Sequence, residues 1–176
     1  AREGRRLATI ALGLVAVWGS FVLGRIDGFR GDYLPELAWR WTPTAEQQLV
    51  NRRPSTALET TQEWQPVDVE WPGFRGPNGN GQAEWRGERL DWTTSEPREL
   101  WRIPVGPGWS SFAYASGRLF TQEQRGADEA VSCYDAETGA LVWMRTNKTR
   151  FFEIVSGAGP RATPTIADGR LYSLGG

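Results

Sequence analysis

Three residue types are scarce or missing in this chain of 176 residues, which has no histidine, one cysteine and one methionine. The absence of histidine excludes histidine-based metal sites, Ser-His-Asp triads and imidazole acid–base chemistry from this sequence. A single cysteine excludes an internal disulfide and any Cys-x-x-Cys zinc or redox motif. The one methionine is Met144, so residue 1 is not an initiator, and we expect an internal stretch of a longer protein.

An excess of charge of one sign is also missing, since 20 Lys and Arg face 21 Asp and Glu. Nucleic-acid-binding proteins usually carry a basic patch or stripe, so this balance predicts no nucleic-acid partner. The charges are unevenly distributed along the chain, which divides into three zones of different net charge. Residues 1–30 carry a net charge of +3, residues 31–70 carry −4, and residues 71–176 carry none.

A continuous uncharged run of 18 residues extends from Leu7 to Gly24. A helix needs about 20 apolar residues to cross a bilayer, with a range of about 17–25, so we predict a transmembrane helix over about 7–24, within residues 1–30. The alternatives are a signal peptide, whose apolar core is shorter, and a buried soluble helix. Arginines are denser before the run, which favours a cytoplasmic N-terminal side and an extracytoplasmic, periplasmic remainder.

Residues 31–70 have the composition of an acidic linker or tether. Thr44 and Gln47 match a capping box and predict a short helix over AEQQLV. The polar stretch that follows, NRRPSTALETTQEWQPVDVE, has little periodicity and indicates a linker, with an ordered surface loop as the alternative.

Short β-type stretches separated by turn residues fill residues 71–176, after the turn-rich WPGFRGPNGNG. Each has five or six residues with alternating, β-branched or aromatic side chains. They are Leu100–Val105, Ser110–Ala115, Arg118–Glu123, Ala130–Asp135 and Leu141–Thr146. No amphipathic helix is apparent after residue 71, so this part of the chain predicts an all-β fold.

An internal repeat relates WSSFAYASGRLFT, residues 109–121, to RATPTIADGRLYS, residues 161–173, at an offset of 52. Gly117 and Gly169 fall at the same place in the two copies, where a tight hairpin turn needs positive φ. Self-similarity at a fixed period in four-stranded units is typical of a β-propeller. We predict one complete blade over 110–146 and a next blade that starts near residue 156. Two coincidentally similar hairpins in a β-sandwich are the alternative.

The segment YDAETGALVW resembles the tryptophan-docking motif of pyrrolo-quinoline quinone (PQQ) type propeller repeats. That motif has Asp, two variable residues, Thr-Gly, three residues and Trp. The matching residues here are Asp135, Thr138, Gly139 and Trp143. Trp101, in ELWRIPVG, resembles the same outer-strand tryptophan in a neighbouring blade. We expect Asp135 to accept hydrogen bonds in the turn and Trp143 to pack between blades.

With WPGFRGPNGNG, ELWRIPVGPGWSSFA and ADGRLYSLGG, the motif is similar to a bacterial group of PQQ-like propeller proteins. That group is loosely akin to the outer-membrane-protein assembly lipoprotein of the β-barrel assembly machinery, and N-terminal helices usually hold its members to the membrane. The resemblance implies a quinoprotein alcohol dehydrogenase-like propeller, of which this chain holds the first one or two blades behind a transmembrane helix and linker.

The resemblance leaves three functions open. We expect a membrane-tethered, periplasmic binding or assembly scaffold; the alternatives are a PQQ- and calcium-dependent quinoprotein dehydrogenase and a ligand-sensing ectodomain. The dehydrogenases use calcium-bound quinone, a catalytic Asp and often a vicinal disulfide, which one cysteine cannot form. No carboxylate cluster with calcium-ligand spacing occurs either. We assign no catalytic residue, metal site or cofactor in this sequence, and leave PQQ and calcium to the full-length protein.

Four residues are candidates for contact with a ligand or a partner protein. Trp109 and Arg161 hold equivalent positions at the start of the two innermost strands, whose ends open at the mouth of a propeller channel. They suit a flat or anionic ligand or the anchor residues of a partner, unless both fill space between blades. Glu123 and Arg125 belong to a polar run after the second strand, predicted as a loop contact or a solvated turn.

We expect residues 71–176, expressed alone, to be marginally stable or prone to aggregation. Repeat units need neighbours to bury their faces, and one blade with part of another leaves strand edges open. Size-exclusion chromatography and thermal unfolding measure this. A soluble monomer with a cooperative unfolding transition would contradict it.

Overall fold

The computed structural model describes residues 2–29, 34–51, 68–84, 87, 91–153 and 156–175. The chain divides into two compact units, residues 1–44 and 45–176. The division does not follow the charge zones, because the predicted tether contributes structure to both units. Most of its polar stretch, residues 52–67, lies outside the described residues.

The first unit contains one helix and one hairpin. Helix α1 spans Arg2–Leu23, has no buried residue and is long and apolar enough to cross a membrane. The predicted apolar helix is confirmed, and it begins five residues earlier than expected. Strands β1 (Gly24–Phe29) and β2 (Pro35–Trp39) pair antiparallel directly after it. Strand β2 lies in the stretch predicted as a linker, so that prediction was wrong for these five residues.

The second unit is built mainly from antiparallel strands. Four of them form one sheet in chain order: β3 (Ala113–Ala115), β4 (Arg118–Arg125), β5 (Asp128–Asp135) and β6 (Leu141–Asn147). Two hairpins follow: β7 (Phe152–Glu153) with β8 (Gly157–Ala158), and β9 (Thr165–Ala167) with β10 (Arg170–Tyr172). Four of the five predicted strands are therefore confirmed, and the described residues after residue 71 contain no helix.

Helix α2, Ala45–Asn51, confirms the predicted short helix and packs on the turn between β4 and β5. Leu49 is buried, and Val50 lies close to Gly126 in that turn. The Arg150 side chain donates to the Glu46 carboxylate over 2.6 and 3.0 Å. The helix is thus held to the sheet by an apolar contact and an ion pair.

One predicted strand, Leu100–Val105, is irregular in the structure. Pro104 and Pro107 have no backbone N–H to donate to a ladder. The backbone N–H of Gly106 donates instead to the carboxylate of Glu123, and Pro107 O accepts from Gln124 N at 2.8 Å. Side-chain and isolated backbone contacts thus replace regular strand pairing here.

The innermost strand is also shorter than predicted, because hydroxyl groups replace ladder partners over residues 110–112. Ser110 Oγ accepts from Gln122 N at 3.1 Å, and Ser111 O accepts from Thr121 Oγ1 at 3.1 Å. The segment therefore runs beside β4 without being part of the regular ladder.

The hydrophobic core lies between the four-stranded sheet and the β9–β10 hairpin. Ala113, Phe120, Cys133 and Trp143 are successive cross-strand neighbours, so they share one face of the sheet. Ile166 of β9 is buried in the same cluster, and the Phe120 and Trp143 rings lie 6.0 Å apart. The face that carries Trp143 thus packs against the next hairpin.

The two equivalent hairpin turns have the same backbone conformation. Gly117 and Gly169 have φ of 72° and 70°, and Ser116 and Asp168 before them both have φ of 48°. Two successive residues with positive φ are what a type I′ hairpin turn requires. The repeat detected in the sequence is therefore a repeat of local structure.

Residues 68–73 form hydrogen bonds to the first strand of each equivalent hairpin, β3 and β9. Trp71 pairs with Tyr114 of β3 through N–H···O bonds of 3.0 and 2.7 Å. The next residue, Pro72, accepts from the N–H of Ile166 at 2.7 Å. One short segment therefore bonds to equivalent strands of both repeats.

The turn between β5 and β6 forms as its motif predicts. Asp135 Oδ1 accepts from Thr138 N at 3.0 Å and from Thr138 Oγ1 at 2.8 Å, and Gly139 N donates to Asp135 O at 2.9 Å. These hydrogen bonds hold the pKa of Asp135 below its ordinary value. Arg118 on the neighbouring strand pairs with the other carboxylate oxygen.

Trp101 lies on this turn. Its indole Nε1 donates to Ala136 O at 3.0 Å, and a Cβ built on Gly139 would be 2.6 Å from the ring. Only a residue without a side chain leaves room for the indole at that distance. The chain before the sheet is therefore packed onto the outer turn of the sheet by one aromatic ring.

We expect Gly139→Ala to destabilise the protein more than Gly117→Ala, a matched control with the same φ and open space around it. Both variants strain a left-handed residue by about 1–2 kcal/mol. Gly139→Ala also displaces the Trp101 ring, which adds about 1–3 kcal/mol of overpacking. Chemical denaturation measures both losses.

The Trp101→Ala background provides the control. With the ring removed, the two alanine variants should lose similar free energies of unfolding. An equal loss in the presence of Trp101 would contradict the packing of the ring against Gly139.

Candidate functional site

The candidate site forms where the lead-in segments of the two repeats, residues 106–111 and 159–163, run side by side. Trp109 N donates to Pro160 O at 2.9 Å, and Ser111 N donates to Thr163 Oγ1 at 2.9 Å. Ser111 and Thr163 are the same position in the two copies. Equivalent residues of successive repeats thus face each other.

The structure brings together the two candidate residues Trp109 and Arg161. The Arg161 guanidinium carbon is 5.7 Å from the centre of the Trp109 ring and 4.9 Å from that of Phe151. Both are within the range of a cation–π interaction, which is stronger when the pair is shielded from water. The arginine is therefore in contact with an aromatic ring from each of two segments.

The hairpin β7–β8 fixes this arrangement. Ser156 O accepts from Trp109 Nε1 at 2.8 Å, while Ser156 Oγ and Gly157 O accept from Arg161 Nη2 at 2.7 and 2.9 Å. Both candidate side chains are thus hydrogen-bonded to the same short hairpin and have a defined orientation.

Sequence reasoning missed Phe151 and Ser156 as members of the site. A signal for them existed, because Trp101 and Trp143 are 42 positions apart whereas the inner hairpins are 52 apart. The ten additional residues must lie between Trp143 and Arg161, where the β7–β8 hairpin is found. The difference between the two offsets, 42 and 52 positions, therefore shows where in the chain an element is inserted.

The site exposes an aromatic surface, the indole of Trp109, beside the hydrogen-bonded guanidinium of Arg161. Trp109 is 65% exposed, whereas Arg161 is half-buried. Arg161 Nη1 is buried and has no hydrogen-bond partner among the described residues. The exposed indole can stack on a flat group or receive an apolar anchor, and the guanidinium supplies positive charge next to it.

Glu123 and Arg125 are not in a loop or a solvated turn, and that prediction was wrong. Both lie on β4, which continues to Arg125, and the Glu123 side chain is 1% exposed. Gly126 has φ of 65° and forms the turn two residues later than expected. The polar side chains therefore point into the sheet packing, on the face opposite Phe120.

The Glu123 carboxylate is surrounded by donors. Oε1 accepts from Arg125 Nη2 at 2.9 Å, from Tyr134 OH at 2.6 Å and from Ser132 Oγ, and Oε2 accepts from Gly106 N. A buried carboxylate with this many internal donors has little capacity left for an outside ligand. Glu123 instead joins the sheet to the segment before it.

These contacts determine the charge states of the cluster formed by Glu123, Arg125 and Tyr134. Burial alone would raise the pKa of Glu123, but the hydrogen bonds from Arg125, Gly106 and the two hydroxyls outweigh it and hold the pKa below its ordinary value. Burial and the neighbouring carboxylate raise the pKa of Tyr134. The cluster is thus a buried ion pair with a neutral phenol as third member.

Cys133 is buried and only 1% exposed. Burial raises its pKa to about 12, so the thiolate is scarce at neutral pH. Its position next to Phe120 and Trp143 in the cross-strand row gives it a packing role.

The described residues do not fit the calcium and quinone centre that the family resemblance implies. Within the described ranges, no group of three or more His, Cys, Asp or Glu side chains could hold a metal ion. Asp135 and Asp168 lie in turns on different hairpins, which is not a converging set of oxygen ligands. No chemical step through such a centre is derived for these residues.

No family model, curated protein or solved structure matches this chain.

We expect Glu123→Gln to lower the free energy of unfolding by about 3 kcal/mol, because it leaves the half-buried Arg125 without a counter-charge. The folded pKa of Glu123 lies below its ordinary value of 4.5. Its carboxylate therefore stabilises the fold above that pH, and this contribution is lost as pH falls towards the folded pKa. Denaturant titrations between pH 3 and 7, roughly, measure the loss.

Glu137→Gln, on the exposed turn after β5, is the control and should leave the free energy of unfolding nearly unchanged. If Glu123→Gln behaved like this control, the assignment of a stabilising buried carboxylate would be wrong.

Proposed function

We propose that this chain contains a membrane-tethered PQQ-like β-propeller segment that serves as a binding or assembly scaffold on the extracytoplasmic, periplasmic side. The observation that carries the fold is the contact between equivalent residues of successive repeats, Ser111 N with Thr163 Oγ1. Inner strands of neighbouring blades approach each other in this way when repeats are arranged around an axis.

Packing on both faces of the sheet supports the same proposal. The Phe120 face meets Ile166 of the next hairpin, and the Glu123 face meets Gly106 of the segment before it. The segment before the sheet makes a further contact at the outer turn, where Trp101 Nε1 donates to Ala136 O. A sheet covered on both faces by its neighbours in the chain is what a blade inside a repeat array requires.

The membrane part of the proposal comes from α1. From Leu7 onward the helix carries no charge, and none of its residues is buried, as expected for a helix in contact with lipid. The arginine cluster at positions 2, 5 and 6 favours a cytoplasmic start of the helix, which would put the sheet on the other side.

A binding role is favoured over catalysis by the nature of the exposed groups. Trp109 offers a large rigid surface and Arg161 supplies a positive charge, and neither side chain is a nucleophile or a general base. Tryptophan and arginine are the residue types that most often dominate the energy of protein interfaces. We therefore assign Trp109 and Arg161 to partner binding at the mouth of the proposed propeller.

We expect Trp109→Ala to reduce partner recovery by at least tenfold, since truncating a dominant interface residue costs about 2 kcal/mol or more. The full-length tagged protein is cross-linked in intact cells, purified from solubilised membranes and compared with wild type by quantitative mass spectrometry. Trp92→Ala is the matched control, because Trp92 is 64% exposed and outside the repeat contact.

Partner recovery that is unchanged in Trp109→Ala, or lowered equally in Trp92→Ala, would contradict the assignment of the binding site. A titration of the full-length protein with PQQ and calcium examines the dehydrogenase alternative. Saturable quinone binding with dye-linked alcohol oxidation would contradict the scaffold proposal.

A further inference from the structure

The hairpin β1–β2 has one apolar face. Ile26 lies opposite Leu37, and Gly24 lies opposite Trp39, so these four residues share a face of the two-stranded sheet. The large side chains are 57%, 76% and 55% exposed for Ile26, Leu37 and Trp39. An isolated two-stranded hairpin is at best marginally stable in water, so this face needs a covering surface.

The opposite face of the hairpin is polar and internally paired. Arg25 forms an ion pair with Asp27, with Nη2 and Oδ2 at 3.2 Å, and its Nη1 donates to Arg40 O at 3.1 Å. Glu36 lies on this face as well, one position before Leu37. The hairpin is therefore amphipathic, and its arginine is already partnered.

The position of the hairpin is fixed at the end of the apolar helix. Gly24 follows Leu23 directly, and Arg40 N donates to Leu23 O at 2.9 Å, so both strands begin or end at the last turn of α1. If α1 crosses a bilayer, the hairpin lies at its surface. A groove of about 800 Å³ separates the last turn from the apolar face, lined by Phe21, Ile26, Leu37 and Trp39 among others.

Two tryptophans continue the apolar face. Trp39 and Trp41 stack with ring centres 5.3 Å apart and an angle of 7° between their planes. Trp41 is 65% exposed. Tryptophan is enriched where a membrane protein meets the headgroup region, because its ring is apolar and its N–H can bond to water or lipid oxygen.

We propose that the hairpin β1–β2 is a second membrane-binding element that lies at the headgroup–acyl boundary of a phospholipid bilayer. Ile26, Leu37 and Trp39 enter the acyl region, and the groove beside Phe21 accommodates part of a lipid molecule. This inference rests on the proposed crossing of the membrane by α1. Phospholipid is the occupant because the apolar face is continuous with the apolar helix surface.

The backbone limits how deeply the hairpin enters. A two-stranded sheet has unpaired N–H and C=O groups along both edges, and such groups do not occur against lipid in the hydrocarbon core. The interface provides water and lipid oxygens for them. Because Arg25 is paired with Asp27, binding depends on apolar contact, and neutral phosphatidylcholine should suffice without anionic lipid.

Site-directed fluorescence measures the environment of each face. Leu37→Cys and Glu36→Cys are labelled with an environment-sensitive dye in the full chain, reconstituted in phosphatidylcholine vesicles. These neighbouring positions lie on opposite faces of one strand, so they are matched controls for each other. The native Cys133 is buried and mostly protonated at neutral pH, so it does not compete for the label.

We expect the dye at position 37 to show a blue-shifted emission, quenching by shallow nitroxide lipids and loss of quenching by aqueous iodide. The dye at position 36 should show the reverse. Iodide quenching at both positions would overturn the proposal. A blue shift at position 37 without nitroxide quenching would also overturn it and would indicate a protein surface or a second copy as the occupant.

A label at Leu14→Cys, in the middle of α1, separates this inference from the proposed membrane crossing. Deep nitroxide quenching at position 14 with iodide quenching at position 37 would overturn the hairpin inference alone. Iodide quenching at position 14 would overturn the membrane crossing and the hairpin inference together. Nitroxide quenching that is deep at position 14 and shallow at position 37 supports both.

Discussion

Backbone contact between the segments 106–111 and 159–163 is the constraint on which the second unit depends. A Cβ at Gly159 would lie 2.1 Å from Pro107 O, and one at Gly106 would lie 2.0 Å from Gln124 O. No side chain fits in either place. Glycine at position 159 allows the two repeats to approach closely, which aligns the equivalent inner strands and brings Trp109 beside Arg161. Glycine at position 106 allows the lead-in segment to approach β4 of its own repeat, which places Gly106 N on the buried carboxylate of Glu123.

Local patterns predicted much of the fold. Helix α1 followed from an uncharged run, α2 from a cap and a short helical segment, and the strands of the sheet from apolar alternation between turn residues. The hairpin turns followed from Gly117 and Gly169, since two positive φ values are a local requirement. Each of these features depends on residues that are near each other in the chain, so the sequence contains the evidence.

The errors concern features that depend on distant residues. Leu100–Val105 has strand-like composition, but the residues that follow it, Gly106 and Pro107, bond to the Glu123 carboxylate and to Gln124 N rather than to a regular ladder. Glu123 and Arg125 have the composition of a solvated turn, but β4 continues to Arg125, and the donors Gly106 and Tyr134, more distant in the chain, enclose the Glu123 carboxylate. For the candidate site, the repeat identified Trp109 and Arg161, whereas Phe151 and Ser156 came from an insertion that a fixed period conceals.

The inserted hairpin makes the two repeats chemically unequal at the surface where they meet. A surface built from like units presents similar features in several rotational positions, so a partner could dock in more than one of them. A single hairpin that projects Ser156 beneath Trp109 removes that equivalence. The ten added residues therefore give the surface around Trp109 and Arg161 a unique direction, and a partner of the proposed scaffold would meet that surface in one orientation.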